Sequence, residues 1–290
     1  GFGTSAVTLD LAEGGTYIFN YPAAHPFRFS TTADGTHGGG TEYTTGVTVL
    51  SSTSIQIVVA ASAPNLNYYC SSHSGMGGAI NTNSTLGSSN FDGNNQSTVK
   101  ANATAGFSII TWTGTGSNLT IGHGLGVKPS AHITKARTGS SGCPWFVYFS
   151  ILGANSNLRL NTTAAVNSGS GQSDLYNDTE PTSSVITIGD SSCINENNGT
   201  YITYAFSEVA GYSKFGSYEG NQNADGTFVN LGFTPAWIMI KNADNGSNRN
   251  WCIIDSTRTT FNKSASAEVL FANANQSESV ANNNYGQFAS

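Results

Sequence analysis

Charge is what this sequence most lacks. Asp, Glu, Lys and Arg together make up 10% of its 290 residues, against about 25% in an ordinary soluble domain. The 11 Lys and Arg are scattered and the net charge is −6. With no basic stripe to neutralise phosphates, nucleic acid is excluded as the main partner. No apolar run approaches the roughly 18 residues a spanning helix needs, so a membrane partner is not expected. Cysteine is sparse as well: Cys70, Cys143, Cys193 and Cys252 stand far apart, with no Cys-x-x-Cys pair. Two disulfides are open to four cysteines, but the spacing matches no small stapled scaffold. The expectation is of free, buried thiols outside position 70. An initiating Met and a signal peptide are also missing, so Gly1 reads as a processed or truncated start.

Asn, Ser, Thr and Gly take the place of charge. That mixture suits many short strands joined by tight turns and disfavours long helices. The 15 Phe, 12 Tyr and 4 Trp, within 38% hydrophobic residues, suffice for real cores and exclude disorder. Sequons such as Asn83, Asn102, Asn118 and Asn161 arise by chance in such a composition and carry no weight.

Residues 1–82 read as six or so strands: Thr4 to Leu11, Thr16 to Asn20, Pro26 to Ser30, Gly46 to Leu50, Ser54 to Ala60 and Asn67 to Cys70. That count in about 80 residues predicts a Greek-key sandwich. The last strand runs into Tyr69-Cys70-Ser71-Ser72-His73-Ser74-Gly75-Met76-Gly77-Gly78, which places thiol, imidazole and thioether at i, i+3 and i+6. Upstream stands His25, before Pro26. A soft thiolate, two imidazoles and a weak thioether form the donor set of a mononuclear blue-copper centre. One early His followed by a late Cys-x-x-His-x-x-Met stretch resembles the small cupredoxins of the pseudoazurin and amicyanin type. The resemblance implies copper held by His25, Cys70, His73 and Met76. Pro26 departs from the Asn that many cupredoxins carry there and has no N–H to offer near the thiolate. His37, in a Gly-rich loop, is expected to face solvent.

Residues 83–105 are rich in turn formers and read as a linker. Beyond them the chain repeats itself at an offset of 106 without gaps. Leu125-Gly126-Val127-Lys128-Pro129 is echoed by Leu231-Gly232-Phe233-Thr234-Pro235, Ile133-Thr134-Lys135 by Met239-Ile240-Lys241, and Trp145 by Trp251. The repeat predicts one β-sandwich over 106–212 and a second, incomplete copy over 213–290. Its missing strands are expected from a longer chain or from another chain. The fold class is therefore all-β: a cupredoxin-like sandwich followed by a tandem β-sandwich repeat.

Thr31 to Gly40 and Tyr69 to Gly78 resemble cupredoxin-like modules of marine phage and bacteria. Gly87 to Gly93, Ile121 to Gly126 and Tyr212 to Tyr218 resemble a repeat of cyanophage virion proteins. This resemblance implies a structural role in a virion, as capsid decoration or part of a tail or fibre, with other virion proteins or copies of itself as partners.

No catalytic constellation emerges, so an enzyme is not expected. His123 and His132 read as a turn and a strand histidine with local hydrogen bonds. Asp174, Asp178 and Glu180 read as a solvated loop, and Ser140-Ser141-Gly142-Cys143 as a turn without a base nearby. The matched Trp145 and Trp251 read as core. Trp237 faces Ala131 of the first copy and is the better candidate for an exposed role, such as stacking on a host-surface glycan. The alternatives to a virion protein are a secreted blue-copper electron carrier and a glycan-binding adhesin.

Overall fold

The structure, a computed structural model, describes residues 6–82, 87–169, 173–223, 226–247, 249–258 and 267–281. It is all-β and divides into two compact units, residues 1–100 and 101–290.

In the first unit, strands β1 (Leu9–Asp10), β2 (Thr16–Asn20), β3 (Phe27–Ser30), β4 (Val47–Ser51), β5 (Ser54–Val58), β6 (Leu66–Cys70) and β7 (His73–Asn81) form two sheets. Their orders are β1-β7-β6-β3 and β2-β5-β4. Strand alternation sends every second side chain inward. Leu9, Phe29, Leu66 and Ile80 of one sheet and Ile55 and Ile57 of the other thus join a single core.

The expected linker belongs in part to this unit. Within it, β8 (Ser88–Asn90) and β9 (Ser97–Asn102) pair as a hairpin. Ser89 Oγ accepts the Asp10 N–H at 2.7 Å, and the Thr98 hydroxyl donates to Asp10 at 2.9 Å. Short polar side chains that look like linker in composition here serve as hydrogen-bond partners for the edge of β1. Residues 83–86 lie outside the described residues.

The second unit contains β10 (Phe107–Thr113), β11 (Leu119–Gly122), β12 (Ala131–Ala136), β13 (Phe146–Phe149), β14 (Ser156–Arg159), β15 (Asn167–Ser168), α1 (Ser173–Tyr176), β16 (Val185–Ile188), α2 (Ser192–Asn195) and β17 (Thr200–Phe206). Six of its strands run in the order β15-β14-β13-β12-β17-β10, and β11 pairs with β16. A second group follows in the order β18 (Trp237–Ile240), β19 (Cys252–Asp255), β20 (Ala267–Phe271) and β21 (Ser279–Ala281).

The repeat is present in the hydrogen bonding itself. Ala131 pairs with Phe149 as Trp237 pairs with Asp255, and Ser150 N–H donates to Ser130 O as Ser256 N–H donates to Ala236 O. The offset is not free of gaps, however. Phe146 pairs with Arg159, whereas Cys252 pairs with Phe271, so the later strands have moved on by six residues. With that insertion β20 is the counterpart of β14 and β21 of β15, in matching register. An insertion between strands lengthens a surface loop and leaves the ladder intact, which is why it costs little.

The front half of the second copy behaves differently. In the first copy β12 is flanked by β13 and β17, and β17 also pairs with β10. Among the described residues, β18 pairs with β19 alone and residues 214–223 form no strand. Trp112, 5% exposed, has as its counterpart Tyr218, 47% exposed. The two copies meet at Trp251, which is 1% exposed, packs with Val147 and Leu158, and donates from its indole N–H to Arg159 O at 2.9 Å. Trp145, its counterpart, is only half-buried.

Cys143 and Cys193 form a disulfide with Cα atoms 5.4 Å apart, against the expectation of free thiols. The fold brings together two positions 50 residues apart that no local spacing marks. Cys70 and Cys252 are free and buried, and burial pushes the Cys252 thiol up to about 11.

Candidate metal centre

Strand β6 ends at Cys70 and β7 begins at His73, joined through Ser71-Ser72. Tyr69 pairs with Gly77, but the next pair is Cys70 with His73, so Ser74, Gly75 and Met76 bulge out of the ladder. The tight turn sets thiol and imidazole opposite each other across a hairpin, and the bulge re-aims the strand at that point. Strand β3 lies on the other side of β6, with Phe27 paired to Cys70. This brings in His25, two residues before it.

The three donors converge. Cys70 Sγ lies 3.4 Å from His73 Nδ1 and 3.9 Å from His25 Nδ1, and the two Nδ1 atoms are 3.2 Å apart. Among the described residues this is the one group of three His, Cys, Asp or Glu side chains close enough to hold a metal ion together. Bonds of about 2.0 Å to imidazole nitrogen and about 2.3 Å to thiolate place trigonal donors about 3.5–3.7 Å apart. The observed edges match that size, so the residues fit a single transition-metal ion. Cys70 is 5% exposed, His25 is half-buried and His73 faces solvent. Met76 stands in the bulge, 44% exposed.

Two partners of this turn are not evident from sequence. His37 is exposed, as expected, but its Nε2 is 3.1 Å from the Cys70 carbonyl oxygen. Asp34 accepts the Ser74 hydroxyl and the Gly75 N–H, each at 2.9 Å. Pro26, which lacks a donor, contributes its carbonyl instead and accepts the Ser71 N–H at 3.0 Å.

The remaining candidates belong to the second unit. His123 has one local hydrogen bond, as the Leu125 N–H donates to its Nδ1 at 3.2 Å, while its Nε2 lies 3.3 Å from the distant Thr182 O. His132 differs from the expectation. It is fully buried, stacks on Tyr148 at 4.7 Å with Tyr176 edge-on, and neither ring nitrogen has a hydrogen-bond partner among the described residues. Burial, with a smaller contribution from His123, lowers its pKa to about 3. Burial likewise pushes the Tyr176 phenol up. Burial opposes ionisation of Glu180, but its hydrogen bonds to Lys128 and Tyr148 outweigh that and hold its carboxyl below the usual range. Glu180 is therefore tied to Tyr148 of the sheet and to Lys128. Trp237 is 55% exposed.

Residues 36–290 match the model of the family described as Domain of unknown function (DUF7483), and the chain belongs to that family. The match takes in Cys70, His73 and Met76, and His25 lies upstream of it. No curated protein and no solved structure matches the chain.

Proposed function

We propose that this chain is an extracellular structural protein of the virion kind. Its first unit would hold one copper ion on His25, Cys70 and His73, with Met76 as a weak fourth donor. The observation that carries the copper reading is the convergence of one thiol and two imidazole Nδ1 atoms within 3.2–3.9 Å. The donor types select a soft, cupredoxin-like site over a hard-cation one. When bound, copper there would supply one-electron redox chemistry. Cys70 holds the ligating sulfur away from water, and the exposed His73 forms the solvent-facing side of the site.

The Cys143–Cys193 disulfide supports an oxidising, extracellular setting. The assembly reading is supported by exposed apolar side chains at and before β18 in sequence. Phe228 is 79% exposed, and Val229 and Trp237 are 45% and 55% exposed. Exposed apolar groups favour association with another chain, and the partners are then copies of itself or other virion proteins. A host-surface glycan stacked on Trp237 is the remaining partner.

The test is a metal analysis and visible spectrum of the oxidised protein with and without added Cu²⁺. A strong thiolate-to-copper band that disappears in Cys70→Ser supports the copper reading. Absence of both uptake and band overturns it and leaves a metal-free scaffold. Sedimentation of the same protein addresses assembly, and a fully folded monomer at all concentrations counts against that part.

A further inference from the structure

The segment between β3 and β4, Thr31 to Gly46, is more ordered than its glycine content suggests. Its base is closed by a bridge between Ser30 and Glu42, by the Ser30 hydroxyl donating to Thr41 O at 2.7 Å, and by an Arg28–Glu42 ion pair at 3.3 Å. Within it, N–H groups of Gly35, His37, Gly38 and Gly40 donate to Thr32, Asp34 and Gly35 carbonyls. The loop lies directly on Tyr69, the residue before Cys70. A Cβ on Gly35, whose φ is +53°, would stand 2.4 Å from the Tyr69 ring. Glycine is therefore needed at that position for close approach as well as for its backbone conformation.

From this rigid platform two side chains reach the turn that carries Cys70 and His73. The Asp34 carboxylate accepts from both Ser74 and Gly75, the first two residues of the bulge, and His37 meets the Cys70 carbonyl. Neither contacts the donor atoms. A three-residue bulge with an exposed glycine, Gly75, has no ladder bonds of its own to fix it. We infer that Asp34 is the positioning residue of the centre, with His37 as its auxiliary: the 31–40 loop clamps the bulge and so fixes the Cys70–His73 separation before any metal arrives. This rests on the copper reading given above. Outer partners that orient metal ligands change affinity by about 10- to 100-fold when removed.

The experiment compares wild type, Asp34→Ala, Asp34→Asn and Ser74→Ala as full chains. Three readouts apply: Cu²⁺ affinity by competition with a chelator, position and intensity of the thiolate-to-copper band, and hydrogen exchange of the Gly75 amide in the metal-free protein. Asp34→Ala should weaken Cu²⁺ binding about 10- to 100-fold, shift the band and speed Gly75 exchange. Asp34→Asn keeps one acceptor oxygen for the Gly75 N–H and should recover part of all three. Ser74→Ala, which removes only the hydroxyl limb, should fall between wild type and Asp34→Ala. A purely structural role would lower overall stability without moving the band or ranking the variants in this order. If wild type binds copper and Asp34→Ala matches it in affinity, band and exchange, the clamp is refuted and the copper reading stands. If wild type takes up no copper, the copper reading fails and the clamp's role toward a metal fails with it. Gly75 exchange then reports whether Asp34 orders the bulge at all.

Discussion

Acid should weaken the second unit through one side chain, His132. Its imidazole is enclosed by Tyr148 of β13 and Tyr176 of α1, with His123 close enough to act on it electrostatically and Glu180 reached through the Tyr148 phenol. Burial in this apolar and aromatic setting lowers its pKa from 6.5 to about 3. The unfolded chain binds a proton once pH falls below 6.5, and the folded chain resists until about pH 3. The stability tied to a neutral His132 is therefore complete above pH 6.5 and lost progressively down to about pH 3. Each pH unit across that gap is worth about 1.4 kcal/mol, which gives ~3 kcal/mol by pH 4.5 and ~5 kcal/mol at the lower end. That is a large share of the 5–15 kcal/mol typical of a whole domain. The assay is urea unfolding of wild type and His132→Phe at pH 7.5, 6 and 4.5, followed by tryptophan fluorescence. Phe keeps the stack on Tyr148 and removes the titration. Glu180, whose carboxyl is held low, also loses its contribution as pH falls, but below about 4.5 and equally in both proteins. Between pH 7.5 and 4.5 the difference between the two should move by ~3 kcal/mol in favour of the variant. Parallel pH profiles would refute the reasoning.

Two further outcomes follow from the packing. Reducing Cys143–Cys193, or replacing both residues with Ser, frees a loop of 50 residues and should cost about 4 kcal/mol in thermal or denaturant unfolding of the second unit. A melt unchanged by reductant would contradict it. Trp251→Ala empties a fully buried site between the two copies and should cost about 3–5 kcal/mol, with β18–β21 losing amide protection before β10–β17. Uniform loss across both groups would show that the copies unfold as one.

Much of this protein was legible in its sequence, because the properties concerned are local or periodic. Scarce charge and abundant turn formers give short strands, and alternation such as Ser54-Ile-Gln-Ile places Ile55 and Ile57 in a core. The Cys70–His73 spacing is legible for a related reason: a two-residue turn sets i and i+3 across from each other in any tight hairpin. The internal repeat is visible because equivalent ladders need equivalent side chains, and its registers coincide from β12/β13 to β18/β19.

What only the tertiary structure decided depends on residues distant in sequence with no compositional mark. Cys143 meets Cys193 because the fold brings the loop before β13 and the short helix α2 together. The Ser88–Asn90 and Ser97–Asn102 stretches look like linker because their side chains are polar, yet they hydrogen-bond to β1 rather than to water. The six-residue insertion is invisible to a fixed offset and obvious in the strand pairing. His132 reads as a polar strand residue until burial between two tyrosines removes its partners and its proton. Asp34 and His37 were loop residues in the sequence, and packing of that loop on Tyr69 is what aims them at the turn between two metal donors. Periodicity reports which face of a strand is inward, whereas which distant side chain waits there is set by how the sheets stack.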